Sequence, residues 1–267
     1  MNKKPPASQV TFPVFPEHLP ARELQEGRYL LRFARTHEDL DAVLRLRFEV
    51  FNLELKEGLD TSHETGRDMD QFDPVCHHLM VVEQSSGAVV GCYRMQTREM
   101  AAQNLGFYSQ IEFDLDGFPP SVIDHSVEIG RACVAKDHRS THVLFLLWKG
   151  LALYVAANRR RFLFGCSSLT SQDPDEGKAF MDYLIHHDHL HADFEIQPQP
   201  GFECYPLGHT VSGDRRVRVP PLFRIYLRHG AKVCGPPAID REFKTIDFLV
   251  LFDVDRMDPK MFETFFD

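Results

Sequence analysis

The run Ser126-Val-Glu-Ile-Gly-Arg-Ala-Cys-Val134 is apolar except for two side chains able to do chemistry, Glu128 and Arg131, with a glycine between them. A carboxylate in such a run is costly to bury unless it is paired, so Glu128 is either bridged to Arg131 or held as a proton acceptor. Residues three apart on a regular strand point to opposite faces. Gly130 marks a place where a bulge would turn both groups toward one cleft and leave backbone N–H groups near Cys133 and Val134 without partners. A carboxylate base beside N–H groups able to hold a developing oxyanion is equipment for acyl transfer.

The elements that position this pair follow directly along the chain. A polar loop, Ala135 to His142, leads into Val143–Ala157, a stretch too long and too rich in Leu and Ala to be a strand. Ser140 or Thr141 can cap this helix, and its N-terminus beside Arg139 suits a phosphate. Arg159, Arg160 and Arg161 close it, either as cations favoured at a helix C-terminus or as a docking surface for an acidic partner.

Upstream, the pattern predicts a strand over 28–34 and a helix opened by Thr36-His-Glu-Asp39, with Leu40, Val43, Leu44, Phe48 and Phe51 at helical spacing. A polar, acidic loop over 54–76 and a hairpin over 78–97 follow. Downstream come a buried strand over 162–168, an apparent insertion at about 172–220 containing a helix through Phe180, Tyr183 and Leu184, a helix over 220–229, and strands over 231–234 and 243–253. Residues 1–27 carry five prolines and read as an extended arm ahead of one domain spanning 28–267. This order implies an α/β layer architecture, a mixed sheet with helices on both faces.

Composition narrows the function. The chain has 267 residues and a net charge of −9, which excludes general nucleic-acid binding. Lys149 interrupts the longest apolar run, and Met-Asn-Lys-Lys-Pro-Pro has no apolar core behind it, so a cytoplasmic protein without a membrane span is expected. Six cysteines without CxxC pairing read as reduced, buried thiols. The His186-His-Asp-His-Leu-His191 run has spacings that could bind zinc but reads as solvated, so no metal and no cofactor are expected. Ser167 and Ser168 lack a nucleophile-elbow pattern and can at most donate a proton to a leaving thiolate.

Several motifs in order carry a resemblance. Leu46-Arg-Phe-Glu-Val-Phe51, Asp70-Gln-Phe-Asp73, Tyr93-Arg-Met-Gln-Thr97 and Glu128-Ile-Gly-Arg131, followed by Pro221-Leu-Phe-Arg-Ile-Tyr226, Gly235-Pro-Pro-Ala-Ile-Asp240 and Thr245-Ile-Asp247, resemble the GNAT acyltransferase superfamily over roughly residues 28 to 255. The resemblance is greatest to the branch with ornithine N-acyltransferases and long-chain N-acyl amino acid synthases, and more distant to acyl-homoserine-lactone synthases. It implies a GNAT-like mixed, mostly antiparallel central sheet. It further implies Glu128 as general base, with Arg131 and the Val134 amide in the catalytic group. Arg47, Asp70, Asp73 and Arg94 would line the amino-acid cleft, an arginine on the carboxylate and the aspartates on a cationic amine.

The acyl donor would be held by Arg139, Ser140 and Thr141 together with Arg159, Arg160 and Arg161. Arg139-Ser-Thr-His-Val143 lacks the glycines with which typical members wrap a pyrophosphate. That departure favours acyl carrier protein, acidic and bearing one phosphodiester, over acyl-CoA. The expected activity is transfer of a long acyl chain, 3-hydroxylated or plain, to the α-amine of an amino acid, with ornithine first and ornithine lipid as the end product. Such a product would bring the protein to the membrane periphery. Synthesis of another N-acyl amino acid or acyl signal is the nearest alternative. A homoserine-lactone product fits less well, because Trp148 lies in the long helix. A non-catalytic acyl-binding or scaffold protein is the alternative from another class.

Overall fold

The computed structural model describes residues 12–139, 141–211 and 215–266. Leu24–Glu26 (β1) and Tyr29–Phe33 (β2) pair antiparallel. His37–Arg47 (α1) starts at a reciprocal cap, Asp39 N donating to Thr36 Oγ1 at 3.2 Å and Thr36 N to Asp39 Oδ2 at 3.3 Å. Its last turns widen into a π-helix, Phe48–Leu55, which ends at Lys56 in the left-handed region. Ser62–Thr65 (α2) follows, then the hairpin of His77–Glu83 (β3) and Val89–Thr97 (β4), then Arg98–Gln103 (α3) and Pro120–Ile123 (α4).

Ser126–Val134 (β5) and Phe162–Leu169 (β6) flank the long Thr141–Ala157 helix (α5). Pro174–His186 (α6), Pro221–Arg228 (α7), Lys232–Val233 (β7), Ala238–Asp240 (β8), Thr245–Asp253 (β9) and Pro259–Phe266 (α8) complete the chain. The nine strands form one sheet in the order β1-β2-β3-β4-β5-β6-β9-β7, with β8 also on β9. Only β5 and β6 run parallel, which is why a helical crossover joins them.

Strand alternation divides the core between the two faces. Leu79, Val81, Tyr93 and Met95 pack toward α5, whereas Met80, Cys92 and Cys133 pack toward α1. On the α1 face, the continuation of the Cys92 row along β4 is Arg94 and Gln96, and Gln96 lies directly opposite Glu128 of β5. The sheet thus sets a polar row beside the end of α1.

The parallel pair is short. Ser126, Val127 and Glu128 face Phe162, Leu163 and Phe164, after which the strands part. Gly165 permits the crossing point, since a Cβ there would stand 2.0 Å from the Ile129 carbonyl oxygen. A cavity of about 360 Å³ opens in the gap and reaches both faces, with Arg94, Gln96 and Glu128 on one side and Trp148, Phe223 and Tyr226 on the other.

Three details depart from the sequence reading. Residues 12–27 are not a free extended arm: Pro16–His18 form a 3₁₀ turn, Phe12 and Leu19 are buried, and β1 adds a strand to the sheet edge. The strand β8 and the helix α8 were not anticipated, and Phe265 of α8 packs on Phe145 and Trp148 of α5. The 172–220 segment contributes to the core, because Phe180 of α6 stacks edge-on against Phe223 and Phe248.

Candidate active site

The expected bulge exists, one residue further along. Register jumps from Arg94 opposite Gly130 to Cys92 opposite Cys133, so Arg131 and Ala132 together face Tyr93. Arg131, not Gly130, takes the left-handed conformation, with φ 50°. A non-glycine residue held there costs about 1–2 kcal/mol. The turn swings Arg131 onto the α1 face, where its guanidinium lies between the Tyr108 and Phe243 rings, 4.7 and 4.3 Å from their centroids.

Glu128 is buried, and it is not paired with Arg131. Its Oε2 accepts from Gln96 Nε2 at 2.7 Å and from Tyr108 N at 2.9 Å, and its Oε1 accepts from Ser109 N at 2.6 Å. Three neutral donors therefore fix the carboxylate while it borders the cavity. Sequence reasoning missed Gln96, Tyr108 and Ser109 as its holders. Gln96 sat within a quoted motif; the other two act through backbone N–H, which leaves no mark on residue type.

The remaining charged residues form an internal lattice. Arg47 is fully buried, donating from Nη1 to Asp73 Oδ1 at 2.6 Å and from Nε to Asp68 Oδ1 at 2.8 Å. Arg94 Nη1 donates to Asp70 at 2.6 Å and to Asp73 at 3.1 Å, and Arg131 Nη2 donates to Asp70 at 3.0 Å. Burial alone would raise the Asp73 carboxyl, but the Arg47 and Arg94 charges outweigh it and hold it well below the usual carboxylate range.

Arg94 and Arg131 border the cavity, while Arg47, Asp70 and Asp73 stand behind them. The expectation that Asp70 and Asp73 would receive a cationic amine is corrected: arginines already occupy both. Arg131 Nε is buried 3.6 Å from Asp68 Oδ1, so it faces the lattice while the rest of this side chain borders the cavity.

The Val134 N–H points away from β4, two residues beyond Ala132, the last β5 residue on the cavity wall. Ala135 N donates to Val90 O across to β4 at 2.9 Å, so by antiparallel alternation the next residue, Val134 opposite Gly91, points its N–H away from β4. Its carbonyl agrees, accepting from Arg139 Nε at 3.1 Å on that outer side. Cys133 faces β4 by the same alternation, so its amide is not available.

The donor-side residues do not assemble as expected. Arg139 lies near the start of α5, in a two-pronged contact with Glu54 at 2.6 and 2.7 Å. Arg159, Arg160 and Arg161 lie beyond its far end, about 25 Å away for a helix of this length. Arg160 is bound by Glu99 and the Asp124 carbonyl, and Arg161 by Asp253 and Asp255. These three arginines are therefore not part of one phosphate site with Arg139. Ser140 lies outside the described residues, as does the side chain of Thr141.

Two further groups line the cavity. The Tyr93 and Tyr226 hydroxyls meet at 2.6 Å, and burial pushes both phenols up, keeping them protonated. Asp247 also borders it, close to Cys166 and the buried Glu112. That trio is the one grouping with metal-ligand spacing among the described residues, rather than the 186–191 histidines. All six cysteines are unbridged, including Cys92 and Cys133 with sulfurs 3.5 Å apart.

A parallel pair that parts around a buried carboxylate, with an apolar chamber behind it, defines an acyltransferase of the GNAT class. A family model described as an acetyltransferase (GNAT) domain matches residues 46–149. An L-ornithine N(alpha)-acyltransferase of Rhodobacter capsulatus is 34% identical over 87% of this chain and 92% of its own. One from Agrobacterium fabrum is 31% identical over 85% and 82%. The chain belongs to the L-ornithine N(alpha)-acyltransferase family. Among solved structures, an N-acyl amino acid synthase from uncultured soil microbes aligns over 87% of this chain and 95% of its own, at 9% identity and a TM-score of 0.45.

Proposed function

We propose that the chain moves a long acyl group from a thioester to the α-amine of ornithine. The carrying observation is the cavity that passes between β5 and β6, with Glu128 on its polar side and Trp148, Leu151, Phe223 and Phe252 on its apolar side. The amine approaches Glu128, which takes a proton directly or through water as nitrogen attacks the thioester carbonyl. The oxygen gains charge near the Val134 N–H. As the C–S bond breaks, the leaving thiolate takes a proton from the Tyr93–Tyr226 pair or from Ser167 or Ser168, all on the cavity wall. Arg131, on the cavity wall, offers its charge to the substrate carboxylate.

We read the donor as acyl carrier protein, on the absence of glycine from Arg139-Ser-Thr-His-Val143 and on Arg139 at the head of α5. The donor is a substrate, and the reaction as drawn needs no cofactor or metal. Among the described residues no helix is long and apolar enough to cross a membrane. An amphiphilic product would nevertheless form at, or be delivered to, a membrane surface from the cytoplasm.

The test offers a panel of amino acids with acyl carrier protein thioesters and with acyl-CoA, and reads products by mass spectrometry. Amide at the α-nitrogen of ornithine, faster from the carrier-protein thioester, is the expected result. Exclusive use of acetyl-CoA, or acylation of no amino acid, would overturn the reading.

A further inference from the structure

Asp247 is one of three acids on the cavity wall, with Glu57 and Glu128, and none of them forms an ion pair among the described residues. Asp247 is 4% exposed, its Oδ1 receives no N–H or hydroxyl hydrogen bond, and its Oδ2 accepts from Thr245 Oγ1 at 3.2 Å. Behind it stands Glu112, 1% exposed, whose carboxyl has no partner but Asp247, with which it shares a proton. One oxygen of each lies within 4.8 Å of the other and of Cys166 Sγ. No Lys, Arg or His forms an ion pair with either among the described residues, and the nearby Arg131 is engaged by Asp70. Burial raises both carboxyls, helped by the Asp247 charge at Glu112 and by the Asp240 charge at Asp247. Buried acids without a cation cost stability, and a cation arriving through the cavity would relieve that cost.

The register places this acid pair relative to the chemistry. Glu128 lies opposite Phe164 on β6, and Asp247 lies opposite Ser168, four residues along the same strand and on the same face of the sheet. Those four residues span about 13 Å of strand, a gap that the two acidic side chains shorten from its ends. Ser109 joins the two ends, its N–H on Glu128 and its Oγ 3.6 Å from Cys166 Sγ. A short, extended molecule with its reacting amine at Glu128 would therefore carry its far end to Asp247.

We propose that Asp247, backed by Glu112, receives the side-chain ammonium of a diamino acid and so makes the site select ornithine over uncharged amino acids of similar length. This assignment rests on reading the cavity as the amino-acid site. It also explains which nitrogen reacts: the side-chain nitrogen is held as an ammonium while the α-nitrogen meets the base. The same geometry disfavours lysine, which is one methylene longer, and 2,4-diaminobutyrate, which is one shorter.

The experiment compares kcat/KM for ornithine and norvaline, its analogue without the side-chain nitrogen, in the wild type, Asp247→Asn and Glu112→Gln. The wild type is expected to prefer ornithine by about a hundredfold or more, and Asp247→Asn to reduce that ratio to within about threefold, chiefly through KM for ornithine. Ornithine without an acyl donor should raise the wild-type Tm where norvaline does not, and Asp247→Asn should abolish the difference. Should Asp247→Asn not fold, Glu112→Gln and the wild-type Tm comparison decide. Acylation of ornithine with an unchanged ratio in both variants would overturn the ammonium seat and leave the proposed function standing. Acylation of no amino acid, with no Tm response to ornithine, would overturn both. A stoichiometric metal ion in the purified protein, lost in Asp247→Asn, would assign the acids to a cation of another kind.

Discussion

Six charged side chains, Arg47, Arg94 and Arg131 with Asp68, Asp70 and Asp73, are packed against one another, Arg94 and Arg131 on the cavity wall and the other four behind it. Their charges balance, so the loss of one member strands another in a medium where an unpaired ion is very unfavourable. Asp73→Asn is therefore expected to lower unfolding free energy by about 3–5 kcal/mol, read as a shift in the urea midpoint. A change under about 1 kcal/mol would show that the lattice is not structural. The motif spacing made Arg47, Asp70, Asp73 and Arg94 legible as a charged group. It could not say which faces meet substrate, because that depends on how the 54–76 loop folds over α1. Asp68 escaped notice for the same reason, and Asp247 was visible only as part of a motif without a role.

The bulge and the parting of β5 from β6 create the site at the scale of the elements. Sequence signalled the first through Gly130, which flagged a disturbance that falls on Arg131, whereas the parting at Gly165 was not read from the sequence. The short β1 and β8 carry too few residues to show alternation, whereas α8 was signalled by Asp258 before Pro259, whose Oδ1 accepts from Lys260 N at 3.0 Å and Met261 N at 3.3 Å, and that cap was overlooked. Helix length also decides between the two arginine groups. Arg139→Ala is expected to raise KM for acyl carrier protein thioester several-fold with kcat little changed, whereas Arg161→Ala should leave donor KM unchanged and cost only about 1 kcal/mol of stability. Steady-state kinetics of the two variants check this, and an equal rise in donor KM for both would contradict it.

At the scale of the whole molecule, two adjacent histidines at the start of β3 tie stability to pH. Burial holds His77 down to about 3 and His78 down to about 4, from an ordinary value of 6.5. Both are thus neutral in the fold while the unfolded chain takes up protons, so their contribution is complete above pH 6.5 and lost as pH falls toward 4 and 3. Over that window His78 accounts for up to about 3 kcal/mol and His77 for up to about 5 kcal/mol. Urea midpoints measured between pH 8 and pH 4 should fall with pH, and His78→Gln should flatten the slope. Identical slopes for the variant and the wild type would contradict this origin.

Proton removal by one carboxylate is the step on which the whole scheme depends. Glu128→Gln keeps the shape of the side chain and removes its basicity, so single-turnover transfer from acyl carrier protein thioester to ornithine gives the most direct test. A fall of about 10²- to 10⁴-fold in the transfer rate, with the variant folded and ornithine still bound, is the predicted result. An unchanged rate would contradict it.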